Sequence, residues 1–232
     1  METPILDGKL FSMMFLSAAN HLYNNQDVVN QLNVFPVPDG DTGTNMSLTA
    51  MAAAAEIKRH ITASVGEMAQ TAAGAALRGA RGNSGVILSQ ILRGMAKELR
   101  DYDICRAPEL AKALDSGVKN AYKSVMKPTE GTILTVARES AEFAVKLVKK
   151  QKDISVDALM EGVVEAAQKS LAKTPDKLPV LKQAGVVDSG GSGLVYLYEG
   201  MYLSLRKILL ATRIWVSLGL FINFRQRCVS FS

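Results

Sequence analysis

The sequence predicts an all-α fold, and three observations carry that prediction. Apolar residues recur at helical spacing along most of the 232-residue chain. Aromatic residues make up only 6% of it while Ala, Leu and Met abound, which favours helix over sheet. Glycine- and proline-rich breaks are confined to Asn33–Gly43, Gly79–Asn83, Lys127–Gly131 and Thr174–Gly191.

The elements follow in order. Phe11, Met14, Phe15, Ala18 and Leu22 form the first stripe. Ser64 with Glu67 makes a capping-box start for a later helix. Leu88, Ile91, Leu92, Met95 and Leu99 form the next stripe. Pro108 sits where a first-turn proline is tolerated, ahead of Leu110, Leu114, Val118, Ala121 and Val125. Two more stripes run through Ile133, Ala137, Ala141, Ala144 and Val148, and through Val156, Met160, Val163, Ala167 and Leu171. Each fits i, i+3, i+4, i+7 spacing, so each helix buries one face. The reading is about eight helices and no convincing strand, an all-α bundle or helical barrel. The length suits one large domain or two small ones. From Arg206 to Ser232 there is no acidic residue. Ile208–Phe224 is apolar but interrupted by Arg213 and Asn223, so a membrane span, which wants about 20 apolar residues, is not expected. A final packed helix that frays into a poorly patterned end is expected, with a surface-lying amphipathic helix as the alternative.

Composition excludes some classes. With 48% hydrophobic and 21% charged residues the chain is globular, not disordered. Its net charge of +5 is scattered, with no dense basic run among stacking aromatics, so no nucleic-acid partner is expected. The two cysteines, Cys105 and Cys228, lie far apart, and no Cys/His cluster suggests zinc. Few cysteines, and a Met1–Lys9 segment without basic or apolar signal regions, point to the cytoplasm.

The segment Asn33-Val-Phe-Pro-Val-Pro-Asp-Gly-Asp-Thr-Gly-Thr-Asn-Met46 is the most informative. Two prolines stiffen its approach, and two glycines admit torsions that other residues resist. Asp39 and Asp41 can turn to one point, and Asn33 adds a neutral oxygen. Hard oxygen ligands suit magnesium, which takes one or two carboxylates plus phosphate and water. Thr42-Gly43-Thr44-Asn45 then enters a helix, whose N–H groups and dipole suit a phosphate. An Asx-turn and N-cap loop is the plainer alternative. It is not an EF-hand, because the closing bidentate Glu is absent.

Gly79–Gly85 precedes a helix starting near Val86. Ser84 reads as its cap, or Asn83 and Ser84 as phosphate contacts. Gly185–Gly193 holds four glycines besides Val186 and Val187 (Gly185, Gly190, Gly191, Gly193), and reads as a loop packed on something ahead of the last helix. Lys127–Thr132 opens another helix, with Thr132 a plausible cap and Ile133 placed to press on a flat base. No P-loop or protein-kinase signature occurs. No Lys or Arg lies between Lys9 and Lys58, so phosphate charge at the acidic loop would fall mainly to metal and N–H groups.

Together these loops resemble the L-subunit (DhaL-like) nucleotide-binding domain of the dihydroxyacetone kinase superfamily. The Asn33–Met46 form is most similar to the N-terminal domain of bacterial fatty acid kinase. The likeness covers roughly Leu6 to Leu203. It implies an eight-helix antiparallel barrel of the DhaL type over residues 1–205, with ATP and Mg2+ at one mouth. It implies metal ligation by Asn33, Asp39 and Asp41, the first matching a family aspartate. It implies phosphate contacts from Thr42, Gly43, Thr44, Asn45, Asn83 and Ser84, and nucleoside contacts from Thr132, Ile133, Asp188 and Gly190. The implied activity is transfer of the γ-phosphoryl group of ATP to a fatty acid carboxylate or to glycerone (dihydroxyacetone). The implied partner is a fatty-acid-binding protein of the DegV type or another acceptor-bearing subunit, with a homodimer also open. Residues 206–232 do not match the family's continuation and are expected to be a truncated or frameshifted end. The rival reading is a non-catalytic nucleotide-binding or regulatory module; a third is a purely structural helical protein.

Overall fold

A computed structural model describes residues 5–217, with side chains through residue 208. Eight long helices are present among the described residues: α1 (Gly8–Asn24), α3 (Thr42–Arg59), α4 (Val65–Arg78), α5 (Gly82–Leu99), α6 (Ala107–Ser124), α7 (Ile133–Lys150), α8 (Val156–Ala172) and α11 (Ser189–Ser217). Three short ones, α2 (Gln26–Gln31), α9 (Thr174–Lys177) and α10 (Pro179–Ala184), lie in the connections. The all-α expectation holds. Each long helix packs on the next, and α11 returns to α1, so the packing order closes on itself.

One local departure is a strand pair. β1 (Leu6–Asp7) and β2 (Ile104–Cys105) form an antiparallel ladder, Leu6 opposite Cys105. Two residues hold no alternation to read, so sequence pattern could not reveal it. Leu6 and Cys105 are both buried there.

The stripes face the core as their spacing requires. Phe11, Met14, Phe15, Ala18 and Leu22 are all buried, as are Leu88, Ile91, Leu92, Met95 and Leu99. Val125, Val148 and Leu171, the last members of three stripes, are only partly buried because they lie at helix ends. Small residues let the helices close up. A β-carbon on Gly94 of α5 would sit 2.5 Å from the Ser116 carbonyl oxygen, and one on Gly117 of α6 would sit 2.7 Å from that of Ile91. The α5–α6 contact therefore excludes larger residues at both positions.

Six of the eight long-helix starts fall into two groups. At the starts of α1, α4 and α8, Asp7, Ser64 and Ser155 accept from the N–H groups of Leu10 (2.8 Å), Glu67 (3.3 Å) and Ala158 (3.3 Å). These side chains quench N–H groups that would otherwise lack partners. The starts of α3, α5 and α7 have no such bond from their own capping residue.

α11 crosses position 205 without interruption. The expectations placed on Arg206–Ser232 otherwise fall largely outside the described residues. Among those described, no helix is long and apolar enough to cross a membrane.

Candidate functional site

In an antiparallel arrangement every second long helix starts at the same end. The starts of α3, α5, α7 and α11 accordingly meet at one open cavity of about 410 Å³, a size within the usual range for small-molecule sites. Thr42 and Asn45 come from α3, Asn83 and Ser84 from α5, Ile133 from α7 and Gly190 from α11. Thr132 and Asp188 line it from just ahead of α7 and α11, and Asn33, Asp39 and Asp41 from the loop before α3. Segments far apart in sequence thus form one wall system. Gly43 and Thr44 do not line the cavity.

The acidic loop is held from inside. Asn33 is 6% exposed. Its Oδ1 accepts from the N–H groups of Asp41 (3.3 Å) and Thr42 (3.2 Å) and from the Thr42 hydroxyl (2.8 Å), and its Nδ2 donates to the Val37 carbonyl (2.9 Å). An amide oxygen has two lone pairs. With three donors on it, Oδ1 has no capacity left for a cation. Asn33, expected as a metal ligand, therefore serves in this structure as the strut of the loop.

Asp39 and Asp41 differ. Both are exposed on the cavity wall, and neither carboxylate has a hydrogen bond or ion pair with a described residue. Gly40 between them has φ +67°, a torsion that a β-carbon resists. Among the described residues no group of three or more His, Cys, Asp or Glu could enclose a metal. The loop therefore offers two carboxylates, a set that suits magnesium when phosphates and water complete the shell.

The first turn of α3 is less available than its sequence suggests. The Thr42 N–H goes to Asn33, and the Thr44 N–H donates to Asn30 Oδ1 of α2 at 3.0 Å. The Thr44 hydroxyl accepts from Asn30 Nδ2, also at 3.0 Å. Gly43 is pressed on α2, where a β-carbon would come within 2.1 Å of the Gln26 carbonyl oxygen. Thr44 and Gly43 thus join α3 to α2; the Thr44 N–H is engaged there, while the Gly43 N–H donates to no described residue.

The start of α5 is open instead. The N–H groups of Gly82, Asn83 and Ser84 donate to no described residue. They form an uncapped helix N-terminus on the cavity, with the partial positive charge that favours a phosphate. Ser84 is the third residue of α5, and Arg81 holds the capping position. The cap reading of Ser84 is thereby corrected: the helix starts four residues before Val86, because Gly82 (φ +57°) lets its first turn close against the Asn45 side chain. Thr132 does hold the position before α7, but its hydroxyl donates to the Thr129 carbonyl (2.7 Å) and caps nothing.

The glycine run before the last helix also becomes helix. α11 begins at Ser189, so Gly190, Gly191 and Gly193 lie in its first turns. A β-carbon on Gly191 would meet Val136 at 2.8 Å, and one on Gly193 would meet Met46 at 2.7 Å. These glycines let α11 approach α7 and α3.

Asp188 ties two helix starts together. It is 4% exposed, and its Oδ2 accepts from the Gly191 N–H at 2.6 Å. Burial pushes its carboxyl up to about 6, against the pull of the Gly191 and Ile133 N–H groups. A raised carboxyl keeps its proton longer in the folded chain than in the unfolded one. Folding then takes up a proton between the ordinary value of 3.8 and about 6, and stability falls as pH rises through that window. Asp188→Asn removes this dependence. Denaturant unfolding of both proteins at pH 4, 5, 6 and 7 should show wild type losing on the order of 2 kcal/mol relative to the variant. A constant difference across the series would exclude the linkage.

Several lining residues escaped sequence reasoning. Phe35, Val37, Ile87, Val125 and Leu134 add apolar lining to the cavity. Lys127 supplies the one cationic side chain among the described residues that line it. Its place in a recognised break was a signal, but nothing local showed that the break shares a cavity with the acidic loop.

The fold and site define a helical domain with an open cleft lined by two unpaired carboxylates, one lysine and the uncapped start of α5. The DAK2 domain model matches residues 36–203, and the chain belongs to that family. Protein YloV of Bacillus subtilis (strain 168) is 50% identical over 206 residues, covering 89% of this chain and 37% of YloV. An uncharacterized protein of Staphylococcus haemolyticus (strain JCSC1435) is 49% identical over 195 residues, covering 84% of this chain and 35% of the relative. The chain thus spans little more than a third of the length of these relatives. Among solved structures, the dihydroxyacetone kinase from C. freundii in complex with AMP-PNP and Mg2+ matches with a TM-score of 0.64 at 16% identity, over 88% of this chain and 35% of that one. At that identity the match speaks for the fold.

Proposed function

We propose that this domain binds magnesium-ATP and donates its γ-phosphoryl group to an acceptor presented by another protein. One observation carries the reading: two unpaired carboxylates, Asp39 and Asp41, share a cavity with the uncapped start of α5. An exposed carboxylate pair without a cation is suited to a hard metal. Open N–H groups in the same cavity are suited to the phosphates that such a metal accompanies.

The roles divide accordingly. Asp39 and Asp41 hold magnesium, which when bound neutralises phosphate charge. Gly82, Asn83 and Ser84 hold phosphate oxygens through their N–H groups. Asn33 fixes the acidic loop. Ile133, Thr132, Asp188 and Gly190 shape the nucleoside side, together with the apolar lining. Phosphoryl transfer asks for positioning and charge neutralisation more than covalent chemistry. A carboxylate acceptor arrives ionised and needs no general base. A fatty acid carried by a DegV-type binding protein fits that chemistry, and glycerone is the hydroxyl alternative.

The test is transfer of radiolabelled phosphate from ATP to a fatty acid, supplied free or on its carrier protein, and to glycerone. The expected result is transfer to the carried fatty acid and little to either free acceptor. Nucleotide binding without transfer to any acceptor would replace the kinase reading with a binding or regulatory module.

A further inference from the structure

We infer that Lys127 is the chain's own cation for the phosphate groups, acting in the same cavity as the acidic loop; this rests on the magnesium-ATP reading above. The argument begins with charge. The described charged residues lining the cavity are Asp39, Asp41, Asp188 and Lys127. A polyphosphate entering there meets carboxylates, and among the described lining residues Lys127 is the one side chain that can offset its charge without metal. Lys127 is exposed, and its ammonium has no hydrogen bond or ion pair with a described residue. An unpaired lysine in a wall that also holds two unpaired aspartates is a cation kept free for a ligand.

The backbone beneath it is braced. Lys127 lies in the connection between α6 and α7. Three residues on, the Glu130 carboxylate accepts from the Thr135 hydroxyl (2.8 Å), Arg138 (2.7 Å) and the Tyr122 hydroxyl (3.0 Å). Burial alone would raise the Glu130 carboxyl, yet these bonds hold it below its ordinary value. The Thr132 hydroxyl closes on the Thr129 carbonyl, and the Thr129 hydroxyl on the Lys127 carbonyl. Gly131 (φ +81°) makes the turn into α7. The connection is thus tied to α6 and α7 while the Lys127 side chain itself is left unbound. A fixed base with a flexible four-carbon stem suits a point-charge contact to phosphate.

A cation that meets phosphate should sort nucleotides by phosphate number. Titrate MgATP, MgADP and AMP into wild type, Lys127→Met and Lys127→Arg by calorimetry, with thermal unfolding as the check on folding. Lys127→Met should weaken MgATP about tenfold, the scale of one charged hydrogen bond. MgADP should lose less and AMP nothing, with melting unchanged because the residue is exposed. Lys127→Arg should stay within about threefold of wild type, since it keeps the charge. Equal losses for MgATP and AMP, or unchanged MgATP affinity in Lys127→Met, would overturn the assignment while leaving the site reading intact. Absence of MgATP binding to wild type would overturn both.

Discussion

Replacing Asp39 or Asp41 with Ala should lower magnesium-dependent ATP affinity on the order of 100-fold, since a ligand should be worth at least as much as the partners that support it. Neither carboxylate braces the fold: both are exposed and accept no hydrogen bond from a described residue. Stability should therefore change by less than about 0.5 kcal/mol, as for surface positions without partners. Loss of affinity without loss of stability is the signature of a ligand-holding pair. The measurement is ATP titration with and without magnesium on each variant, beside denaturant unfolding. Unchanged magnesium-dependent affinity in both variants would remove the acidic loop from the site.

The opposite pattern is expected at Asn33. Asn33→Ala strips the acceptor from the Asp41 N–H, the Thr42 N–H and the Thr42 hydroxyl, and the donor from the Val37 carbonyl. Thr42 is 8% exposed, so little water reaches its groups to replace the bonds. The cost should be about 2–4 kcal/mol, since buried polar groups without partners each cost roughly 1–3 kcal/mol. Affinity should fall too, because the loop no longer holds Asp39 and Asp41 in place. Asn33→Asp separates strut from ligand. A carboxylate there still accepts, but it cannot donate to Val37. The strut role predicts a less stable protein with no gain in magnesium dependence. Tighter magnesium-dependent binding in Asn33→Asp would show that position 33 ligates the metal after all.

What was legible in the sequence was legible for physical reasons. Long helices bury a periodic face, so every stripe from Phe11 to Leu171 marked a real helix. The acidic loop stood out because Asp-Gly-Asp between prolines and a helix start is unusual chemistry in a short span. Helix boundaries at the glycine runs were not legible. Gly82, Asn83 and Ser84, and later Ser189, Gly190 and Gly191, have poor helix propensity and read as loop, yet they are helical first turns. The small size of Gly82 and Gly191 is demanded by their neighbours Asn45 and Val136. The short helices α2, α9 and α10, of 6, 4 and 6 residues, are too brief to show a period. The partners that decide the site were hidden for the same reason in each case. Asn30 reaches Thr44 across 14 positions, and Lys127 joins Asp39 in one cavity. Only the packing of distant helices brings them together.

The central claim is that the cavity between Asp39, Asp41 and the start of α5 holds ATP through magnesium. Calorimetric titration of ATP into the chain, once with magnesium and once with chelator, tests it most directly. The account predicts saturable one-to-one binding with magnesium and at least tenfold weaker binding without it, as expected when metal bridges carboxylates and phosphates. Equal affinity in both conditions, or no binding in either, would contradict it.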